Sequence, residues 1–263
     1  MKRVSFPYQN PDAALRRGGP GTDDPERLRF GAVALKPLIM TAFGVRNIQI
    51  SGPSWLGFDD NFEIVAKVPP GATKNDVNVM LQNLLIERFG LVFHREMKDL
   101  PAYELLIARN GPKLKRSVEN PDAKERTVDE IRKLGTDQNG LPKLPEGRPL
   151  HMFMFGPNGH KEIAATQQTT RDICTEVEVD LGRPCVDHTG LTGKYDYALA
   201  FSLPGGPPGI RLPFPPAPAD APSDPAPTLL TALQQELGLK LEEKKLPIEL
   251  LVIDHLERNP TEN

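Results

Sequence analysis

Two stretches of the chain carry apolar residues at helical spacing and then end on a glycine. In the first, apolar side chains recur three and four residues apart in the range 77–85, between Thr73 and Gly90. Thr73 is a suitable cap for the helix start, and Gly90 can adopt the left-handed conformation that stops a helix. The same cap, stripe and stop recur at Thr228, 229–237 and Gly238. The pattern therefore predicts one helix and a second copy of it.

Each predicted helix is followed by two predicted strands. After Gly90 come apolar residues 91–93, a charged turn from Arg95 to Asp99, the pair Leu100-Pro101 and an apolar run at 103–107. The second copy has the same order, with its strands at 239–241 and 248–252 and its charged turn from Glu242 to Lys245. Short apolar runs bounded by charged residues and proline are typical of strands. Each copy is thus predicted to be helix, strand, strand.

The residues upstream of each copy also match. A helix predicted to end at Gly44 precedes two strands, and so does a helix predicted to end at Gly182. We therefore expect an α+β fold with an internal duplication, helix-strand-strand-helix-strand-strand, and a leading strand at 27–34 and at 149–155. In this fold, two small sheets pack with helices about a pseudo-two-fold axis.

Composition shifts along the chain predict its domain boundaries. We expect a flexible N-terminal segment (1–26), a first repeat (27–115), a linker (116–148), a second repeat (149–257) and a tail (258–263). Proline and glycine dominate residues 203–227, which are predicted to form an extended insert in the second repeat.

The bulk composition excludes several classes of protein. The 263 residues are 38% apolar and 25% charged with a net charge of −3, which argues against a nucleic-acid partner. No stretch reaches the roughly 18 apolar residues of a transmembrane segment. The residues after Met1 lack the apolar core of a secretion signal, which on its own leaves a cytoplasmic location possible.

Cys174 and Cys185 are the only cysteines. A disulfide between them is geometrically possible. Two buried free thiols are the favoured interpretation, because cysteine packs as a small apolar side chain.

Seven motifs carry a family resemblance: 49–56, 80–85, 88–89, 94–96, 111–114, 187–196 and 252–255. With them the chain resembles the "soil-associated protein" family, a domain of unknown function expanded in soil bacteria. Members usually carry a signal peptide, so the resemblance implies a location outside the cytoplasm, in the periplasm or beyond. Residues 181–186 bear a weaker similarity to the short N-terminal domain of secretins and TonB-dependent receptors.

Two Asp-His pairs are the best candidates for chemistry. If Asp187-His188 and Asp254-His255 approach each other, they offer imidazoles oriented by carboxylates, as general bases or metal ligands. A structural role is favoured, because neighbours on a strand point to opposite faces and Asp187 suits a turn that accepts backbone N–H groups. No metal site and no cofactor are expected, since further ligands at helical spacing and a nucleotide-binding glycine pattern are both missing.

An aromatic loop contains Trp55 and Phe58 and offers an anchor for a partner or carbohydrate. A tryptophan tucked over a sheet edge is the favoured alternative.

Our leading hypothesis is a non-enzymatic binding or sensing module outside the cytoplasm, with a protein, peptide or glycan of the cell envelope as partner. The competing hypothesis is a hydrolase, with or without metal assistance, that uses His188 or His255 with an adjacent carboxylate.

Overall fold

The computed structural model describes residues 2–5, 16–57, 59–118, 149–156, 159–203 and 226–261. These residues form two compact units. Unit 1 comprises Met1–Asp99 and Pro247–Asn263, and unit 2 comprises Leu100–Leu246. Most of the predicted linker (116–148) and of the Pro-rich insert (203–227) lies outside the described residues.

Unit 1 contains a four-stranded antiparallel sheet, two helices and parts of two long strands. The elements are β1 (Lys2–Val4), β2 (Arg16–Gly18), β3 (Arg27–Ala34), α1 (Leu35–Phe43), a 3₁₀ turn (Asn47–Gln49), β4 (Ile50–Ser51), β5 (Asn61–Lys67), α2 (Lys74–Phe89), and parts of β6 (Val92–Ile107) and β12 (Leu239–His255). The sheet order is β1-β5-β3-β2. Strands β1 and β2 fall in the range 1–26, where the sequence predicted a flexible segment.

The core of unit 1 forms where the two helices meet the sheet. The side chains of Ile39 on α1, Phe62 on β5, and Leu85 and Phe89 on α2 are fully buried in one cluster. The rings of Phe62 and Phe89 meet edge to face, with centroids 5.2 Å apart. Helix α2 is thereby fixed to the sheet by the apolar stripe that the sequence predicted.

Helix caps form where the sequence predicted them. Thr73 and Asp76 bond each other's backbone N–H groups at the start of α2, and Gly90 ends the helix with φ of 57°. In the second copy, the Thr228 side chain accepts a backbone N–H, and Gly238 ends the helix with φ of 65°.

Unit 2 contains a second four-stranded antiparallel sheet with its own helices. Besides its parts of β6 and β12, its elements are β7 (Lys115–Arg116), β8 (Leu150–Phe155), β9 (His160–Gln168), α3 (Thr170–Leu181), β10 (Cys185–Asp187), β11 (Tyr195–Ser202), and α4 (Leu229–Ala232), which continues as a π-helix (Leu233–Leu237). The sheet order is β7-β11-β9-β8, so β8 is an edge strand among the described residues.

The order of elements repeats along the chain. The series β3-α1-β4-β5-α2-β6 is followed by β9-α3-β10-β11-α4-β12. Each long strand starts in one unit and ends in the other, where it pairs in parallel with the short strand of that unit: β6 with β10, and β12 with β4. The predicted α+β class is confirmed. The long strands add a third sheet, in the order β10-β6-β12-β4, to the two that were expected.

The two charged segments predicted as turns are strand instead. Residues 95–99 continue β6, and residues 242–245 continue β12. Their side chains are mostly exposed, and Arg95 pairs with Glu249 across the two strands. The charged residues in these segments therefore indicate a solvent-exposed part of a strand and not a turn. The Leu-Pro pairs at 100–101 and 246–247 lie where each long strand passes from one unit to the other. Proline has no backbone N–H and so cannot donate a hydrogen bond to a neighbouring strand there.

The second half has two leading strands where the sequence predicted one. The predicted strand at 149–155 corresponds to β8, and β9 follows it directly before α3. Residues 163–167 of β9 are buried in succession, because this central strand is covered on both faces. Such a strand lacks the alternation that reveals a half-buried one.

The expectation of free thiols is wrong, because Cys174 and Cys185 form a disulfide. Cys174 lies on α3 and Cys185 starts β10, with their Cα atoms 5.2 Å apart. The Glu178 carboxylate accepts the backbone N–H of Cys185 at 2.7 Å and so holds β10 against the helix. Eleven residues suffice for this return because α3 stops at Gly182, which has φ of 67°.

Candidate functional site

Asp187 forms the predicted turn and does not pair with His188. Its carboxylate accepts the backbone N–H of Thr189 at 3.0 Å, the Thr189 hydroxyl at 2.7 Å and the Thr170 hydroxyl at 2.5 Å. With these donors, its role is to fix the loop after β10 against the start of α3.

His188 instead contacts Glu104 on β6. Its Nδ1 lies 2.5 Å from Glu104 Oε1, and the other carboxylate oxygen of Glu104 contacts the Lys244 ammonium on β12. Hydrogen bonds from Lys244 and then His188 hold the pKa of Glu104 below its usual value. The imidazole is about half exposed. The sequence named the histidine among its candidates, but it gave no sign of Glu104 as the partner.

The second Asp-His pair lies in unit 1 and is also divided between other partners. Asp254 accepts from His94 Nδ1 at 2.9 Å, and His255 Nε2 lies 3.1 Å from Glu257 Oε1. All four side chains are about half exposed. Ion pairs this exposed contribute little to stability.

Trp55 packs partly into the interior of unit 1. It is half-buried against the core cluster of unit 1, and the Arg258 guanidinium carbon lies 6.0 Å from its ring centroid. Phe58 lies outside the described residues.

Sequence reasoning missed a buried lysine in unit 2. Lys161 on β9 is 1% exposed, and its ammonium contacts Glu176 and donates to Asp180 Oδ1 at 2.7 Å. Glu176 and Asp180 lie four residues apart on α3, which places both on one face of the helix. His151 on β8 completes the cluster with Nε2 at 3.2 Å from Glu176 Oε2. The one signal for this cluster in the sequence was the four-residue spacing of Glu176 and Asp180, which places both carboxylates on one face of a helix.

The cluster has unusual electrostatics for an interior. Burial raises the pKa of Asp180 to about 6, although Lys161 works in the opposite direction. For Glu176, burial alone would raise the pKa, but His151 and Lys161 outweigh it and the pKa falls below its usual value. Asp180 Oδ2 is buried and has no hydrogen-bond partner among the described residues. One carboxylate is therefore held in a poorly compensated environment.

Aromatic rings surround the same ammonium. Lys161 Nζ lies 5.2 Å from the ring centroid of Phe153, 5.5 Å from that of Phe155 and 5.8 Å from that of Phe201. Phe153 and Phe155 are alternate residues of β8, so both side chains lie on the face that carries Lys161. The buried cation thus fixes the aromatic side chains of the edge strand.

Strand β8 remains exposed at this edge. Among the described residues it pairs only with β9, and Phe153 is 53% and Met154 40% exposed. The six residues Leu150–Phe155 contain no proline, lysine or carboxylate. Natural edge strands usually carry such residues to prevent further pairing.

The fold and this site describe an internally duplicated α+β protein with an apolar edge strand. Residues 36–256, most of the chain, match the family described as "Protein of unknown function (DUF3738)". The chain belongs to this family. No curated protein and no solved structure matches it.

Two further observations concern the described ranges alone. No helix in them is long and apolar enough to cross a membrane. No three His, Cys, Asp or Glu side chains in these ranges are gathered in an arrangement that could hold a metal ion.

Proposed function

We propose that this protein is a non-enzymatic interaction module that works outside the cytoplasm and binds an extended segment of another polypeptide along β8. The observation that carries this proposal is the exposed apolar edge of β8, where Phe153 and Met154 face solvent. Unpaired N–H and C=O groups along a strand edge are a template for one more strand.

The chemistry of this edge selects a polypeptide rather than a glycan. Backbone groups spaced along a strand match those of another extended chain, and alternate side chains of the bound segment meet the two faces of β8. On one face they contact Phe153 and Phe155, and on the other they contact Met154. Apolar side chains at alternate positions are therefore the expected ligand pattern.

The lysine cluster prepares this edge for binding. Lys161 lies beneath the rings of Phe153 and Phe155, and it is itself fixed by two carboxylates on α3. Side chains that are already ordered lose less entropy when a ligand binds. The buried charges therefore support recognition without contacting the ligand.

The location outside the cytoplasm is supported by the Cys174–Cys185 disulfide. Disulfides persist in oxidising compartments and are rare in the cytosol. The resemblance to the soil-associated protein family implies the same compartment, and that finer family assignment and the likeness to the secretin domain stay predictions. Thiol alkylation of protein denatured directly from intact cells tests the compartment, with both cysteines expected to resist a maleimide unless a reductant is added first.

A displayed library of unstructured eight-residue peptides tests the binding proposal. We expect the protein to enrich peptides with apolar residues at alternate positions, and Phe153→Lys to abolish this enrichment. Ile86→Lys is the matched control, because Ile86 is also an exposed apolar residue but lies on α2 in unit 1.

Two outcomes would overturn the proposal. One is a set of enriched peptides that bind the Phe153→Lys variant equally well. The other is self-association in sedimentation that Phe153→Lys removes while no peptide is enriched, because the edge would then pair with a second copy of the chain.

The contact between His188 and Glu104 favours a hydrolase as a second candidate function. A carboxylate on Nδ1 orients the imidazole and leaves Nε2 for proton transfer, as in a general base. If the protein hydrolyses esters or amides in a broad substrate panel, His188→Ala and Glu104→Gln should each remove the activity and His255→Ala should retain it. Absence of turnover in the unmodified protein eliminates this candidate.

A further inference from the structure

A cavity of about 300 Å³ lies in unit 2 between the loop after β6 and the end of the last helix. This volume is at the lower end of the range for small-molecule sites. Apart from Ala108 and Gly238, its described lining is polar: Arg109, Asn110, Lys113, Thr231, Gln234 and Gln235. None of these residues belongs to the β8 site.

The backbone holds the two walls of this cavity together. Ala108 N–H donates to Gly238 O at 2.9 Å, and Lys113 N–H donates to Leu237 O at 2.9 Å. Gly238 has φ of 65°, and a Cβ atom there would lie 2.2 Å from Gly111 O. Glycine is required at this position both to end the helix and to let the loop approach. The fold therefore fixes the backbone of the two walls against each other.

The helical wall is a π-helix, Leu233–Leu237. Gly238 N–H donates to Leu233 O, which is five residues earlier. Such turns are rare, and proteins often use them at functional sites. Gln234 and Gln235 are consecutive residues of this turn, and both line the cavity.

The charge of the lining has one sign. Arg109 and Lys113 are the charged residues among the described lining, and no carboxylate lines it. The Lys113 ammonium donates to Gln235 O at 2.6 Å and keeps two further N–H groups, while Arg109 makes no hydrogen bond or ion pair with the described residues. These donors suit an anion, because guanidinium groups pair well with carboxylates and phosphates.

The neutral lining suits hydroxyl groups. Asn110, Gln234 and Gln235 offer amides and Thr231 offers a hydroxyl, and each of these groups can both donate and accept. Sugar hydroxyls have the same dual character. We propose that this cavity binds a monosaccharide unit that carries one anionic group, either a carboxylate or a phosphate.

Calorimetric titration with four probes tests this proposal. We expect galacturonate, galactose 6-phosphate or both to bind at up to millimolar concentration. Galactose and inorganic phosphate, which each lack half of the required chemistry, should bind at least tenfold more weakly. The preference between the two charged sugars identifies the anionic group.

Variants connect any binding to this cavity. Arg109→Ala and Lys113→Ala should each weaken binding at least tenfold, and both residues are exposed, so the variants should fold. Lys245→Ala is the matched control, because it removes an exposed lysine of unit 2 that does not line the cavity. The proposal is overturned if neither charged sugar binds, if galactose or inorganic phosphate binds equally well, or if Arg109→Ala has no effect.

Discussion

Asp180 accepts a 2.7 Å hydrogen bond from the Lys161 ammonium through Oδ1, while its buried Oδ2 has no partner among the described residues. Burial raises the pKa of this carboxyl group from 3.8 to about 6. Folding therefore takes up a proton between these two pH values. The stability that Asp180 contributes is fully present below its unfolded pKa and is lost as the pH rises through about 6.

Asp180→Asn should remove this pH dependence, because asparagine cannot ionise. Relative to the unmodified protein, the variant should gain free energy of unfolding as the pH rises from about 4 to 7, by at most about 3 kcal/mol at about 1.4 kcal/mol per pKa unit. Urea unfolding across this range measures the difference. Asp254→Asn, in an exposed ion pair, is the control and should change stability by about 1 kcal/mol or less. Parallel curves for Asp180→Asn and the unmodified protein would contradict the argument.

Replacing Lys161 with methionine should be strongly destabilising. Glu176 and Asp180 would then be buried without their cation, and removal of one partner from a buried ion pair costs about 3–5 kcal/mol. Adding Glu176→Gln and Asp180→Asn should restore part of this loss, as measured by urea unfolding at neutral pH. Lys240→Met serves as the control, because its pair with Glu242 is exposed and contributes little to stability. Equal losses in the two lysine variants would refute a special role for Lys161.

The disulfide should contribute measurably to the stability of unit 2. A Cys174→Ala/Cys185→Ala double variant should lose about 2–4 kcal/mol, because the cross-link restricts the unfolded chain. Unfolding with and without a reducing agent provides the internal control. Reductant should destabilise the unmodified protein and leave the double variant unchanged. If reductant affects neither protein, the two cysteines are not bonded.

Thr169 should stabilise the helix that carries Glu176 and Asp180. Its side chain accepts Asp172 N–H at 3.3 Å, and the Asp172 carboxylate accepts Thr169 N–H at 2.7 Å. Thr169→Ala should cost about 1 kcal/mol in thermal or urea unfolding. Thr175→Ala, within the same helix, should change stability by about 0.5 kcal/mol or less. Similar effects at both positions would show that the cap has no special contribution.

The features predicted correctly from sequence are local ones. Caps such as Thr73 and helix stops such as Gly90 and Gly238 depend on a few neighbouring residues, so their pattern is readable without the fold. The duplication was visible because both copies kept these signals in the same order. The charged stretch from Arg95 to Asp99 was misread, because its strand conformation depends on pairing with a distant strand.

The candidate site was largely hidden for the same reason. Lys161 is buried only because β8, β9 and α3 come together around it. In a sequence, a lysine within a short strand normally indicates a position exposed to solvent. His188 was identified, but its partner Glu104 is 84 residues away in the chain. Residues that come together from distant parts of the chain form no motif of fixed spacing, so a single sequence does not reveal that they are neighbours.

Hydrogen exchange on the protein bound to a library-selected peptide tests the central claim most directly. If a polypeptide strand adds to β8, amides within Leu150–Phe155 should exchange more slowly in the complex, while those of α2 in unit 1 should be unchanged. Protection confined to another part of the chain, with no change in β8, would contradict the account.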